Sequence, residues 1–148
     1  MIQVIEAPSN EIIKYPSIFL AGGLFDCPDW QSTAINLFAQ TRLDLTIFNP
    51  RRKNFAPHMH HEQVIWETEK LNQADLVLFW FPHQTLCPIT LYEYGWLINM
   101  DKLVAVGASP EYKRLSDIQL RLIRLKNQIV NSSLSTTVLE AISKLNGV

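Results

Sequence analysis

This chain has almost no charge imbalance, only two cysteines and no long hydrophobic run. Thirteen Lys and Arg against fourteen Asp and Glu leave a net charge of −1 over 148 residues. Without a basic excess there is no broad electrostatic footprint for a nucleic-acid polymer or an anionic membrane surface. The longest apolar run, Leu76 to Pro82, is far too short to span a bilayer. Residues 1–16 carry acids among their apolar positions and have no basic start, so they do not read as a signal peptide. Cys27 and Cys87 lack metal-ligand spacing. With no secretion signal they are expected to be reduced thiols, and the expected location is the cytoplasm. Internal repeats, low-complexity tracts and linkers are also missing.

What is present is a folding composition. Hydrophobic residues make up 47% of the chain and charged ones 18%, which excludes a disordered chain. The length suits one domain, 1–148, with a substantial core. Short apolar runs alternate with amphipathic stretches. Strands are predicted at Ser17 to Ala21, Asp44 to Phe48, Ala74 to Phe81 and Leu103 to Val106, with a short fifth near Gln128 to Val130. Helices are predicted at Trp30 to Thr41, at Gln63 to Asn72 with Val64, Ile65 and Leu71 inward, and at Thr90 to Met100. Two more are predicted, one opening with a capping box at Ser116 to Gln119 and one from about Ser135 to Leu145. Strand–helix alternation of this kind implies a doubly wound, mostly parallel sheet with helices on both faces. Ligands of such sheets sit beyond the carboxyl ends of the strands. The segments to inspect are therefore 21–29, 49–55, 81–93 and 106–110.

Glu93 stands out in the third of these. Thr90-Leu91-Tyr92-Glu93 has capping-box spacing, so the carboxylate either satisfies a backbone N–H at a helix start or attacks a substrate. The positive end of the helix dipole would keep it ionised, as a nucleophile must be. Asp75 opens the most apolar strand. Its position is the amino end, about 17–20 Å from the carboxyl end of a five- or six-residue strand. Gly22 and Gly23 close the first strand and allow close backbone approach to a ligand. In Asn49-Pro50-Arg51-Arg52-Lys53 the guanidinium groups are either a bidentate phosphate grip or a solvated loop. His58, His60, His61 and Glu62 match no standard metal spacing and read as a polar loop. Trp30, Trp66, Trp80 and Trp96 are mainly core candidates. Trp80, at the end of its strand, is placed to stack on a base.

These motifs together, from Ser17 to Gly107, resemble the nucleoside 2-deoxyribosyltransferase-like family. The resemblance is carried in order by IFLAGG at 18–23, DWQ at 29–31, NPRR at 49–52, QVIWE at 63–67, ADLVLFW at 74–80 and LYEYG at 91–95. It implies a flavodoxin-like, Rossmann-like domain that cleaves or exchanges the N-glycosidic bond of a nucleoside or nucleotide. In that pattern Glu93 is the nucleophile and Asp75 an acid near the base. The expected substrate contacts are Phe19, Gly22, Gly23, Phe25, Asn49, Arg51, Trp80 and Tyr94, with no metal and no cofactor. The mechanism implied is a retaining double displacement, resolved by a second base in a transferase or by water in a hydrolase. Phe19 stands where transferases of the family carry a tyrosine, which leaves Tyr92 or Tyr94 to supply that hydroxyl. The loop around Cys87 also lacks the acid that transferases place before the glutamate. The resemblance further implies a homo-oligomer in which a neighbouring subunit completes each site, with Asn131 a candidate donor. A non-catalytic nucleotide sensor on the same fold is the alternative outside enzymes.

Overall fold

A computed structural model describes residues 1–147. Five strands, β1 (Ile2–Glu6), β2 (Ser17–Gly22), β3 (Leu45–Asn49), β4 (Leu76–Phe81) and β5 (Leu103–Ala108), form one sheet in the order β1-β3-β2-β4-β5. All four pairings are parallel. The helices are α1 (Trp30–Ala39), α2 (His60–Gln73), α3 (Pro88–Leu97), α4 (Leu115–Lys126) and α5 (Leu134–Leu145).

Two cores follow from strand alternation. Ile18, Leu20, Leu76 and Leu78 face Trp30, Ala34 and Phe38 of α1 and Val138 and Ala141 of α5. Phe19, Ala21, Val77, Phe79 and Phe81 face Trp66 and Leu71 of α2, Tyr94 and Leu97 of α3, and Ile118 and Leu122 of α4. The chain leaves β2 through α1 to reach β3 on one side, then returns through α2 to β4 on the other. Right-handed crossovers in opposite directions require helices on opposite faces. The carboxyl ends of β2 and β4 therefore form the topological switch point, where a crevice opens.

The structure departs from the sequence expectations at four places. The fifth strand is β1 at the amino terminus, whereas Gln128 to Val130 is not a strand; only a single parallel bridge, Gly107 to Asn131, forms there. β1 pairs with β3 alone and is only partly buried, so its hydrophobic pattern is weak. α3 begins at Pro88, after Cys87 in the left-handed conformation (φ 52°), and Thr90 makes no cap. Proline is suited to the first helical position because its missing N–H would be unpaired there. Glu93 accordingly lies in the second turn, away from the orphan amides. α4 likewise starts at Leu115, with no side-chain cap on it, and Gln119 accepts a hydrogen bond from the Val130 N–H (2.9 Å). In α2 the buried face is Gln63, Trp66, Lys70 and Leu71, while Val64 and Ile65 point outward, each nearly half exposed.

Candidate active site at the switch point

A cavity of about 350 Å³ opens at the carboxyl ends of β2, β3 and β4. Its floor is Phe19, Ala21 and Gly22 of β2, and the turn 23–26 rises from there to the mouth. One wall is 50–55 with Gln63, Val64 and Glu67 of α2, and the opposite wall runs from Thr85 through Thr90 to Glu93 of α3. The volume falls in the small-molecule range.

Of the expected residues, Glu93, Phe19, Gly22, Gly23, Phe25 and Arg51 line this cavity, and Asn49, Trp80, Tyr94 and Asp75 do not. Trp80 belongs to the other face of the sheet, packed with the α1–α5 core, and its ring edge occupies the space a side chain at Gly107 would need. The Tyr94 hydroxyl donates to the Ile118 carbonyl (2.6 Å), and its ring stands edge-on to Phe79 and Phe81. Tyr92 is 79% exposed, so neither tyrosine replaces the hydroxyl missing at Phe19. Asn49 accepts from the Arg51 N–H (3.1 Å) and so shapes the loop. Asp75 sits at the amino end of the sheet, where its Oδ2 accepts from the backbone N–H of Ser17 (2.8 Å) and its hydroxyl (3.2 Å). It fastens β4 to β2 and is remote from the cavity by the length of a strand. Asn131 donates to the Val106 carbonyl (3.1 Å) and to Glu140 (3.2 Å) within its own chain.

The glycine turn serves packing first. A Cβ on Gly22 would collide with the Trp30 indole and the Trp80 carbonyl, and one on Gly23 would lie 2.8 Å from the Cys27 sulfur. The Gly23 carbonyl accepts from Trp30 Nε1 (3.0 Å), Gln31 Nε2 (3.2 Å) and Arg51 Nη2 (3.3 Å). Arg51 is engaged further: its Nε donates to Gln31 (2.8 Å) and pairs with Asp29 (3.2 Å), and Nη2 donates to the Pro28 carbonyl (3.0 Å). It braces the turn, so its guanidinium is not the open grip expected for a phosphate. Arg52 is held by Glu62 (2.8 Å) and Gln63 (3.3 Å). Among the described residues no group of three or more His, Cys, Asp or Glu side chains is placed to hold a metal. The three histidines near residue 60 lie on a 3-10 turn and the start of α2, and His60 reaches the cavity rim.

The acid that accompanies Glu93 is Glu67. Gln63 and Glu67 are four residues apart on α2, hence on one helical face, and both line the cavity. Gln63 Nε2 donates to the Pro50 carbonyl (2.9 Å), and its side chain also hydrogen-bonds Glu67. Burial pushes Glu93 up to about 8, with the nearby Glu67 charge adding to the effect. Burial pushes Glu67 up to about 7, opposed by the bond from Gln63. The dipole expected to keep Glu93 ionised is thus outweighed by desolvation in the second turn. Burial and mutual repulsion both disfavour ionising the two carboxyls together, so they titrate as a pair. Sequence reasoning missed Glu67, although it ends the QVIWE motif. It also missed Phe55, whose ring lies 5.6 Å from that of Phe25 at the mouth.

The sheet is all-parallel and doubly wound, and two carboxyls line a cavity of small-molecule size at its switch point. Residues 15–112 match the family described as nucleoside 2-deoxyribosyltransferase like, and the chain belongs to that family. Its members are typically enzymes of glycosyl transfer on nucleosides. No significant match is found among curated proteins.

Proposed function

We propose that the protein cleaves or exchanges the N-glycosidic bond of a nucleoside, with Glu93 as nucleophile and Glu67 as the proton donor. The observation that carries this reading is that the buried carboxyl of Glu93 and the half-buried carboxyl of Glu67 line one cavity. Glu93 attacks the anomeric carbon, the C–N bond breaks, and the leaving base takes the proton of Glu67. A glycosyl ester on Glu93 and an ionised Glu67 remain. An incoming base, or water, then attacks the ester and returns a proton to Glu67. Productive chemistry needs the shared proton on Glu67. A ring nitrogen of the base accepting from Glu67, and positive charge growing at the sugar beside Glu93, both favour that placement. This assigns to Glu67 the role expected of Asp75.

The engaged state of Arg51 and Arg52 favours an uncharged nucleoside over its 5'-monophosphate. The reading includes a homo-oligomer packed on the mouth, where Phe25, Val64 and Ile89 are exposed by 60%, 47% and 65%. Light scattering after gel filtration checks that assembly, and a monomer would contradict it.

The test is incubation with ribo- and deoxynucleosides and their monophosphates, with and without an acceptor base, followed by chromatography. Free base from nucleosides alone selects hydrolysis, and a new nucleoside with an acceptor selects transfer. Thermal stabilisation by one ligand with no product overturns the enzyme reading in favour of a sensor. Release from monophosphates only overturns the preference for an uncharged substrate.

A further inference from the structure

Neither cysteine has a part in the reaction proposed above, yet the fold brings the two together at the cavity. Cys27 follows the glycine turn and is partly accessible, whereas Cys87 is buried at the head of α3. Both sulfurs meet at Gly23. The Cys27 sulfur lies 2.8 Å from where a Gly23 side chain would begin, and the Gly23 N–H hydrogen-bonds the Cys87 sulfur. The Cys87 thiol itself donates to the Thr85 carbonyl (3.7 Å), and Thr85 is another near neighbour of Gly23. Only a residue without a side chain leaves the space between these segments open.

We infer that Cys27 and Cys87 form a reversible intramolecular disulfide when the protein meets a hydroperoxide, and that this bond disables the cavity. The order of events follows from access. Cys27 is the sulfur solvent reaches, and an Arg51 N–H points at it (3.7 Å). It attacks one peroxide oxygen; the O–O bond breaks, water or an alcohol leaves with the thiol proton, and Cys27 becomes a sulfenic acid. The Cys87 sulfur then attacks the Cys27 sulfur, the S–O bond breaks, and a second water carries away the hydroxyl and the Cys87 proton. Two thiols are oxidised and one peroxide is reduced. Burial pushes the Cys87 thiol up to about 12, which keeps it from meeting oxidant first, so its part is the intramolecular step that its place beside Gly23 allows.

The bond would join the β2–α1 turn to the residue that starts α3. Drawing Cys87 toward Cys27 removes its contacts with Gly23 and Thr85 and disturbs the left-handed residue on which α3 begins. Thr90 and Glu93 ride on that helix, and the Gly23 carbonyl anchors Trp30, Gln31 and Arg51. Both walls of the cavity are therefore moved by one covalent event.

The experiment treats the whole reduced protein with hydrogen peroxide in small excess and then counts thiols under denaturing conditions. It also maps peptides without reductant and follows base release. The expected result is joint loss of both thiols, a mass lower by two hydrogens and a single peptide linked through positions 27 and 87. Base release should fall by at least about tenfold and recover with dithiothreitol. C27S should lose its sensitivity to peroxide, while C87S should accumulate oxygen on Cys27 with no cross-link. Loss of one thiol alone in the wild type, a link between two chains, or a cross-linked protein of undiminished activity would overturn the inference. The effect on base release rests on the proposed reaction, but the thiol count and the linked peptide do not. A protein that cross-links yet never releases base would sink that reaction and leave the disulfide standing.

Discussion

The two ends of the β2–β4 strand pair each hold acids, and they are built in opposite ways. At the amino end Asp75 is exposed, and its carboxylate accepts two hydrogen bonds from Ser17, so water and protein both stabilise its charge. At the carboxyl end Glu67 and Glu93 face each other in an apolar cavity, and burial raises both. The first arrangement lowers the energy of the fold. The second raises it, and such a cost marks groups as candidates for reactivity. What separates the two arrangements is the supply of fixed donors, not position in a motif.

The contrast is broken most severely at Glu93. Glu93→Gln should lower base release by about 10³-fold or more while leaving ligand affinity within about tenfold, as single-turnover and calorimetric titrations will show. Near-normal turnover in that variant would remove the nucleophile. Glu67→Gln should cost about 10²-fold or more, since general acid catalysis typically contributes that much. It also changes the pH profile. The wild type needs one proton on the pair, so kcat/KM should peak between about 7 and 8 and fall on both sides. Without Glu67 the alkaline limb should disappear, and its persistence would assign the donor elsewhere.

Stability against pH separates the two ends as well. Burial holds the folded-state pKa of Glu93 above the ordinary glutamate value of 4.5, so the fold favours the neutral form. That contribution is fully present below about 4.5 and is lost as pH rises through about 8. Glu93→Gln does not titrate, so between pH 5 and 9 it should gain on the wild type by on the order of 4 kcal/mol in urea unfolding. An equal difference at both pH values would mean the carboxyl is solvated. The smallest effect is expected at the other end. Asp75→Ala should cost about 1 kcal/mol of unfolding free energy and leave kcat of the folded protein unchanged. A large loss of kcat there would restore Asp75 to the chemistry.

Much of the fold was legible in the residues, because β2 and β4 are covered on both faces and so read as unbroken apolar runs. β1 was not, since an edge strand with a half-wet face leaves only the weak pattern IQVIE. Glu93 was legible as a residue of the strand-end crevice through its place after a strand's carboxyl end, and it lines the cavity there. Its helical position was not, because Thr90 and Glu93 imitate a capping box while Pro88 and the left-handed Cys87 start the helix two residues earlier. Glu67 was hidden for a different reason. Between Glu62 and Lys70 it looks like one more solvated helix residue, and only the crossover of α2 over the sheet turns that face into a cavity wall. Asp75 was the mirror case, conspicuous in sequence and remote in space. The tryptophans behaved alike: alternation along β4 sends Trp80 to the face opposite the cavity, which its position at the strand end did not reveal.

The close fit of Gly22 between the Trp30 indole and the Trp80 carbonyl bears on how this pocket can be re-engineered. Any side chain introduced there must displace an indole ring from one core or a strand from the sheet, so the floor has no room for variation. The segments 50–55 and 85–89 carry no such constraint in their exposed side chains, and Phe25, Phe55 and Ile89 stand at the mouth with one side toward water. Libraries aimed at a new base or sugar therefore belong on the rim. Diversity placed in the floor would be lost to misfolding before any substrate could select among the variants.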